Sequence, residues 1–600
     1  MKSESEKILT ISYLVIAAFL LLFIRLWQLQ ILQGNEHRKS SEANRLRVIT
    51  IPAPRGIIFD RNGSPLVKNL SYYCASVIYG EFDKSRVNSL SKVLNMPVEK
   101  IHEKINKNSM GPFTLIRLKQ GLSFNEVAYI ESRRSDFPGL IIEVDVSREY
   151  IYGNLGSHLI GYLGKLTAPQ LKDPAFRDVP PEAFIGQWGA EMLFDKKLRG
   201  KPGERIIEVD ALGREIRLLQ EKQPMKGEDI ILSVDINLQK EAEKAFGERA
   251  GALVAIKPGT GEILGLISKP SFDPNLFSRG INYHDWIAIT QDKKNPMLNR
   301  ALQSQYPPGS TFKIITAIAA LEEGVITPET KVDCRGGISY GRWHFGCWRK
   351  NGHGVVSLHR AIVESCDVFF YEAGKRLGID KIYDYASSFG LGKETGLELV
   401  KERRGLIPNT KWKQEHKKLP WFLGETFNSA IGQGYVSVTP LQMAVMMSAV
   451  ANGGDIYKPT FVKDAGPVVS GKAKVKPETL EIIKKALSGV VNEPGGTGWA
   501  AKSQTTIIGG KTGTAQVVAI KKDSHYLPER FRDHAWFVAF APVENPEIAL
   551  VVFVEHGGHG GGAAAPIAMK AIEGYLNNSK SKMKNAQLNI ENVTSRSQNN

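Results

Sequence analysis

Ser310 and Lys313, in the stretch Tyr306-Pro-Pro-Gly-Ser-Thr-Phe-Lys313, are spaced so that a hydroxyl and an amine share one face of a starting helix. A serine hydroxyl becomes a nucleophile at neutral pH when a neighbouring base takes its proton. A lysine can be that base only as the neutral amine, the form that burial favours. Spacing alone is weak support, because Ser-x-x-Lys also occurs at Ser89/Lys92, Ser579/Lys582 and Ser581/Lys584. Two further motifs single out the first pair. Lys511-Thr512-Gly513 is the only Lys-Ser/Thr-Gly triplet in the chain, and Thr514 follows it. Its glycine would let a substrate backbone come close, while the lysine and hydroxyls could bind a carboxylate. Ser365-Cys366-Asp367 lies between the two, 55 residues after Ser310 and 146 before Lys511. Ser-x-Asp recurs at Ser233 and Ser271, so it is the ordered set of three motifs that points to acyl transfer.

The four cysteines, Cys74, Cys334, Cys347 and Cys366, leave two chemistries open. Outside the cytoplasm Cys334 and Cys347 could join as a disulfide. Alternatively Cys334, Cys347, His353 and Cys366 supply three thiolates and an imidazole, the donor set of a closed tetrahedral zinc site. Cys74 has no evident partner in either scheme.

Several elements must position these residues. Ala252–Ile256 and Glu262–Ile267 flank a turn at Pro258-Gly259 and read as a hairpin of buried strands. Phe312 to Gly324 reads as an apolar helix stopped by glycine. Further strands are expected at Thr506–Ile508, Trp536–Phe540 and Ile548–Val554, with Lys511-Thr-Gly on or beside a strand. Strands early and late with helices between predict an α+β domain whose sheet draws on both ends of its sequence. His534 and Trp536 are expected to pack on their strand. Upstream, Asn62-Gly63 reads as a turn, and residues from there to about 230 contain no catalytic grouping. Residues 8 to 24 are apolar apart from Thr10, Ser12 and Tyr13, and Leu26-Trp27 extends the run to the length of a membrane span. No small-residue cleavage site follows, which favours an anchor over a signal peptide. The tail from Asn577 is rich in Asn, Ser and Lys, the composition of a solvated, disordered end.

Six hundred residues exceed one ordinary core, and 42% apolar with 23% charged residues is a folded balance. The formal charge of +16, from 78 basic against 62 acidic side chains, suits anionic lipid or an acidic polymer. No basic helix interleaved with aromatics argues for nucleic acid.

Taken in order, these motifs resemble the signature of the penicillin-recognising serine acyltransferases, Ser-x-x-Lys, Ser-x-Asn and Lys-Thr-Gly. More closely the chain resembles class B penicillin-binding proteins of the penicillin-binding protein 2 type. The likeness runs through Arg55-Gly-Ile-Ile-Phe-Asp-Arg-Asn-Gly63, Tyr306–Lys313, Ile431-Gly-Gln-Gly-Tyr435 with Thr439-Pro-Leu-Gln442, and Asp533-His-Ala-Trp-Phe537. Asp367 departs from the general signature, where asparagine stands, but is familiar in this branch. The resemblance implies a transpeptidase fold, a central antiparallel sheet flanked by helices, on an elongated mixed α/β pedestal with one transmembrane helix. It implies a cytoplasmic N-terminus (1–7), an anchor (8–32), a pedestal or dimerisation domain (33–230), a transpeptidase domain (231–576) and the polar tail (577–600). Ser310 would be the nucleophile, Lys313 its base, Ser365 a proton relay beside Asp367, and Lys511, Thr512, Gly513 and Thr514 the substrate-carboxylate site. The N–H groups of Ser310 and Thr514 would form the oxyanion hole. The substrates implied are stem peptides ending in D-Ala-D-Ala, with β-lactams as acylating mimics and no cofactor needed for catalysis. Some relatives carry zinc at positions that Cys334, Cys347, His353 and Cys366 match, which implies a structural ion here. The resemblance also implies a single-pass protein of the bacterial cytoplasmic membrane, catalytic outside the cell, partnered by a RodA-type glycosyltransferase of the elongation complex. A β-lactamase, a β-lactam sensor and a mainly non-enzymatic activator are the competing readings.

Overall fold

The computed structural model describes residues 2–33, 46–51, 53–107, 115–180, 183–209, 215–399, 401–517 and 528–578. Of the expected polar tail, only Asn577 and Asn578 fall among them.

The N-terminal run forms α1 (Lys2–Trp27), prolonged by a wider π turn over Gln28–Leu32. Its span Ile8–Leu32 is long and apolar enough to cross a membrane, and most of its large apolar side chains are exposed.

Two compact units make up the chain, and neither is continuous in sequence. One consists of Met1–Gly56, Asn69–Ser147 and Arg199–Glu228. Within it, Leu46–Ile51, Gly203–Val209 and Glu215–Lys222 form a three-stranded antiparallel sheet. A second small core gathers Val77, Leu90, Leu94, Ile101 and Ile116 between strand Leu115–Leu122 and helices Val87–Leu94 and Val98–Lys107.

The other unit consists of Ile57–Lys68, Arg148–Leu198 and Asp229–Asn600. Among its elements, in chain order, are α2 (Ile236–Phe246), β1 (Gly251–Ile256), β2 (Ile263–Lys269), α3 (Lys313–Glu322) and α4 (Asp367–Leu377). They continue with α5 (Thr410–Lys417), α6 (Pro440–Asn452), α7 (Pro477–Asn492), β3 (Gly509–Ala515), β4 (His534–Ala541) and β5 (Ile548–Val554). The strands form one antiparallel sheet in the order β2-β1-β5-β4-β3, so both ends of the sequence do supply it. Alternate strand residues face opposite sides. Ala252, Val254 and Ile256 enter the core that contains α6, while Leu253 and Ala255 enter the core that contains α2. A sheet buried on both faces needs apolar residues at every position, which is why β1 and β5 read as continuous apolar runs. The helix α6 is buried nearly all round and is fixed at its start by a reciprocal cap between Thr439 and Gln442.

One expected strand is displaced. Thr506–Ile508 precedes the sheet, and the strand is Gly509–Ala515 itself, with Lys511-Thr-Gly at its centre.

Candidate active site

The nucleophile candidate sits on a tight 3-10 turn, Gly309–Phe312, that feeds directly into α3. Gly309 adopts φ +56, and a Cβ there would overlap the Thr514 carbonyl. Its N–H donates to Gly432 O at 3.0 Å. The turn is thus pressed against the backbone of β3 on one side and the Gly432 loop on the other. Ser310 is half-buried, whereas Lys313 and Lys511 are fully buried.

Ser365 lies between the two lysines. Lys511 Nζ donates to Ser365 Oγ at 2.8 Å, and Lys313 Nζ reaches the same oxygen at 3.3 Å. Lys313 Nζ also donates to Ser365 O at 2.9 Å and to Asp367 Oδ1 at 2.7 Å. Ser365 is held at φ +57, a left-handed conformation that costs a serine about 1–2 kcal/mol. Strain of this kind collects at functional sites where the surroundings over-determine it. Burial, reinforced by the nearness of Lys313, holds Lys511 well below the ordinary lysine range. Thr512 Oγ1 meets Thr497 Oγ1 at 2.7 Å, Gly513 passes close to Pro308 O, and Thr514 O accepts from Gln433 Nε2 at 3.0 Å. The structure therefore brings Ser310, Lys313, Ser365, Asp367 and Lys511 to Thr514 into one cleft.

Asp367 opens α4, where the helix dipole favours a carboxylate. Its second oxygen accepts from Trp348 N at 2.9 Å, and the Trp348 indole donates to Ser365 O at 3.1 Å. Trp348 and Gln433 carry no sequence signature for these roles, although Gln433 lies inside the Ile431–Tyr435 stretch.

The cysteines resolve one alternative. Cys334 and Cys347 are not joined as a disulfide, one of the two chemistries the sequence left open. Strand Lys331–Cys334 pairs with Gly354–Ser357, which draws together the loops carrying Cys347 and His353. The ligand atoms of Cys334, Cys347, His353 and Cys366 all lie within 4.8 Å of one another. His353 Nδ1 is 3.5 Å from both Cys334 Sγ and Cys347 Sγ. A tetrahedral zinc separates such ligand atoms by roughly 3.5–3.8 Å, so the donor set and its spacing fit that ion. The cluster adjoins the cleft, since Asp367 N donates to Cys347 Sγ at 3.4 Å. His534 and Trp536 both lie on β4, Trp536 fully buried against Phe553.

Residues 251–573 match the penicillin-binding protein transpeptidase domain, and residues 50–232 match the penicillin-binding protein dimerisation domain. The peptidoglycan D,D-transpeptidase MrdA of Acinetobacter baumannii is 36% identical over 572 residues, 92% of this chain and 84% of that protein. The chain belongs to the penicillin-binding protein 2 family of peptidoglycan D,D-transpeptidases. Among solved structures, Helicobacter pylori penicillin-binding protein 2 in complex with MreC superposes with TM-score 0.77 at 29% identity, covering 88% of this chain and 98% of that one. A chain of a peptidoglycan synthase complex that coordinates polymerisation and crosslinking superposes with TM-score 0.73 at 31% identity, covering 95% and 98%. The transpeptidase reading thus stands on family membership as well as on the motifs.

Proposed function

We propose that this transpeptidase works through an acyl-enzyme on Ser310. The observation that carries the reading is Ser365 Oγ, which contacts both lysines beside the Ser310 turn. Ser310 Oγ attacks the carbonyl of the penultimate D-alanine of a stem peptide as its proton passes to Lys313. The N–H groups of Ser310 and Thr514 face the developing oxyanion, a contribution of about 3 kcal/mol per donor. The peptide C–N bond breaks, Ser365 relays the proton to the leaving amine, and D-alanine departs. An amine of a second stem peptide then attacks the Ser310 ester, loses its proton to the same relay, and releases Ser310 with the new cross-link formed. Lys511, Thr512 and Thr514 bind the terminal carboxylate, and β-lactams acylate Ser310 as mimics of D-Ala-D-Ala. No cofactor takes part in these steps.

Cys334, Cys347, His353 and Cys366 would bind a structural zinc that fixes the loop ahead of Ser365, with no position left for reactive water. The apolar helix would anchor the chain in the cytoplasmic membrane with the catalytic unit outside, where stem peptides are found. The likeness to chains solved with MreC and within a synthase complex supports work in an elongation complex with a RodA-type glycosyltransferase.

The test is covalent labelling by a fluorescent penicillin. Ser310→Ala should abolish it while thermal unfolding stays unchanged, and labelling that survives the substitution would overturn the assignment of the nucleophile.

A further inference from the structure

A second concave, basic face adjoins the nucleophile turn. Residues 393–418 carry eight Lys or Arg against four Glu, a net +4 in 26 residues where the whole chain has +16 in 600. One of those acids faces inward: Glu402 is buried and accepts from Thr395 N and Leu397 N. Glu394 pairs with Arg404, Glu398 with Lys458, and Glu415 stands 3.9 Å from Lys411. Lys413 is buried against Glu425. Exposed Lys393, Lys417 and Lys418 have no acidic partner among the described residues. The face therefore projects uncompensated positive charge.

It is also hollow. A cavity of about 370 Å³ opens there, walled by Tyr383, Lys393, Asn409, Lys411, Trp412 and Glu415. The walls are preorganised. Asn409 caps α5 by accepting from Trp412 N at 2.7 Å. Gln442 Nε2 donates to both Lys393 O and Arg404 O, which fastens two wall segments to buried α6.

Its position ties it to the reaction. Leu406 and Ser437 exchange backbone hydrogen bonds of 2.7 and 2.9 Å, and the Tyr435 ring meets Trp412 edge-on at 5.2 Å. The same 432–437 segment accepts from Gly309 N and donates to Thr514 O. The segment that frames Ser310 thus also contacts two wall residues of the cavity, Leu406 and Trp412.

We propose that this face binds a glycan–peptide strand of peptidoglycan outside the catalytic cleft. The choice of polymer rests on the transpeptidase reading; the charge and shape of the face do not. A peptidoglycan strand is a hydrated glycan whose stem peptides bear carboxylates. Lysines match those carboxylates, and an indole in a polar pocket matches the apolar face of a sugar ring. A lipid surface is flat and engages convex, apolar protrusions, which a polar concavity does not offer. The catalytic cleft grips only a peptide end, so a second grip would raise the local concentration of strand at Ser310.

The experiment uses the full chain in detergent, its cleft first blocked with penicillin, co-sedimented with isolated insoluble peptidoglycan. Lys393→Ala combined with Lys417→Ala should lower the bound fraction at least fivefold, and the two Lys→Arg changes should restore it. The rate of penicillin labelling should stay unchanged in both variants, which shows that the fold and the cleft are intact. Peptidoglycan whose carboxylates have been amidated should bind as poorly as the alanine variant is bound. Undiminished sedimentation of the alanine variant, or equal binding to amidated material, would overturn the proposal. So would release of the wild type from peptidoglycan by micelles containing phosphatidylglycerol, which would assign the face to lipid. Failure of wild-type penicillin labelling would instead count against Ser310 and leave the sedimentation result standing.

Discussion

Ser365 is the residue at which strain and chemistry coincide. Its φ of +57 is disfavoured for any side chain with a Cβ, yet its Oγ must stay between Lys313 and Lys511. Replacing it separates the two demands. Ser365→Gly and Ser365→Ala both remove the hydroxyl and should slow penicillin acylation about 100-fold, the scale of a lost proton relay. Glycine alone releases the strain, so Ser365→Gly should be more stable than Ser365→Ala by about 1 kcal/mol, the reverse of their order in an ordinary helix. Thermal unfolding of the two variants reads this, and a more stable alanine variant would remove the claim of strain. Lys511 gives a second prediction. Only its protonated form attracts a carboxylate, and burial beside Lys313 depresses its pKa well below 10.5. Capture of penicillin should therefore weaken with rising pH, and do so before a solvent-exposed lysine would lose its charge. Lys511→Arg stays charged throughout and should flatten that dependence of the binding step; matching profiles would refute the link. The residue types of this site were legible in the sequence because chemistry restricts them. The strain at Ser365 was not, because Lys313, Lys511 and Trp348 impose it from distant parts of the chain.

At the scale of elements, apolar periodicity located β1, β2, α3 and β5 because packing decides them. Strand β3 escaped it. Gly509-Gly-Lys-Thr-Gly-Thr-Ala515 has few residues that favour strands, and the more β-prone Thr506–Ile508 lies outside the sheet. What makes β3 a strand is its ladder with β4, in which Lys511 stands opposite Val538 and Gly513 opposite Trp536. Glycines allow close approach there: a Cβ at Gly513 would fall 2.7 Å from Pro308 O. The cysteine loops pose the converse case, in which only folding could bring the donors together. Within that cluster the hydrogen bond between Cys366 and Cys347 favours the thiolate on Cys347 and the thiol on Cys366. The purified protein should hold close to one equivalent of zinc by elemental analysis, and less than a tenth would exclude the site. Zinc removal by a chelator should slow acylation, because Cys347 contacts Asp367 N and Cys366 adjoins Ser365. Unchanged acylation by metal-free protein would separate the cluster from the cleft.

At the scale of the whole molecule, the catalytic unit is assembled from pieces far apart in sequence. The Arg55–Gly63 stretch shows how. Asp60 is fully buried; its carboxylate accepts from Asn62 N and Ser64 N at 2.8 Å and from Ile236 N, while Asn62 Nδ2 reaches Asp235 at 3.0 Å. Asp235 in turn caps α2, so this upstream turn is fastened to the start of a helix beneath the sheet. Ile58, Leu66, Val67, Tyr150, Leu159, Ile160, Ala190 and Leu198 all lie in the same core as α6. Burying one large apolar side chain contributes about 1.5–3 kcal/mol, so these residues together account for on the order of 15 kcal/mol. A whole domain is stable by only about 5–15 kcal/mol. A chain truncated to begin at Asp229 lacks all eight and should neither unfold cooperatively nor label with penicillin. A chain truncated to begin at Ala53 keeps every segment of the unit and should do both. Scanning calorimetry with fluorescent penicillin labelling compares the two, and full labelling of the shorter chain would show that the upstream segments are dispensable to the catalytic core.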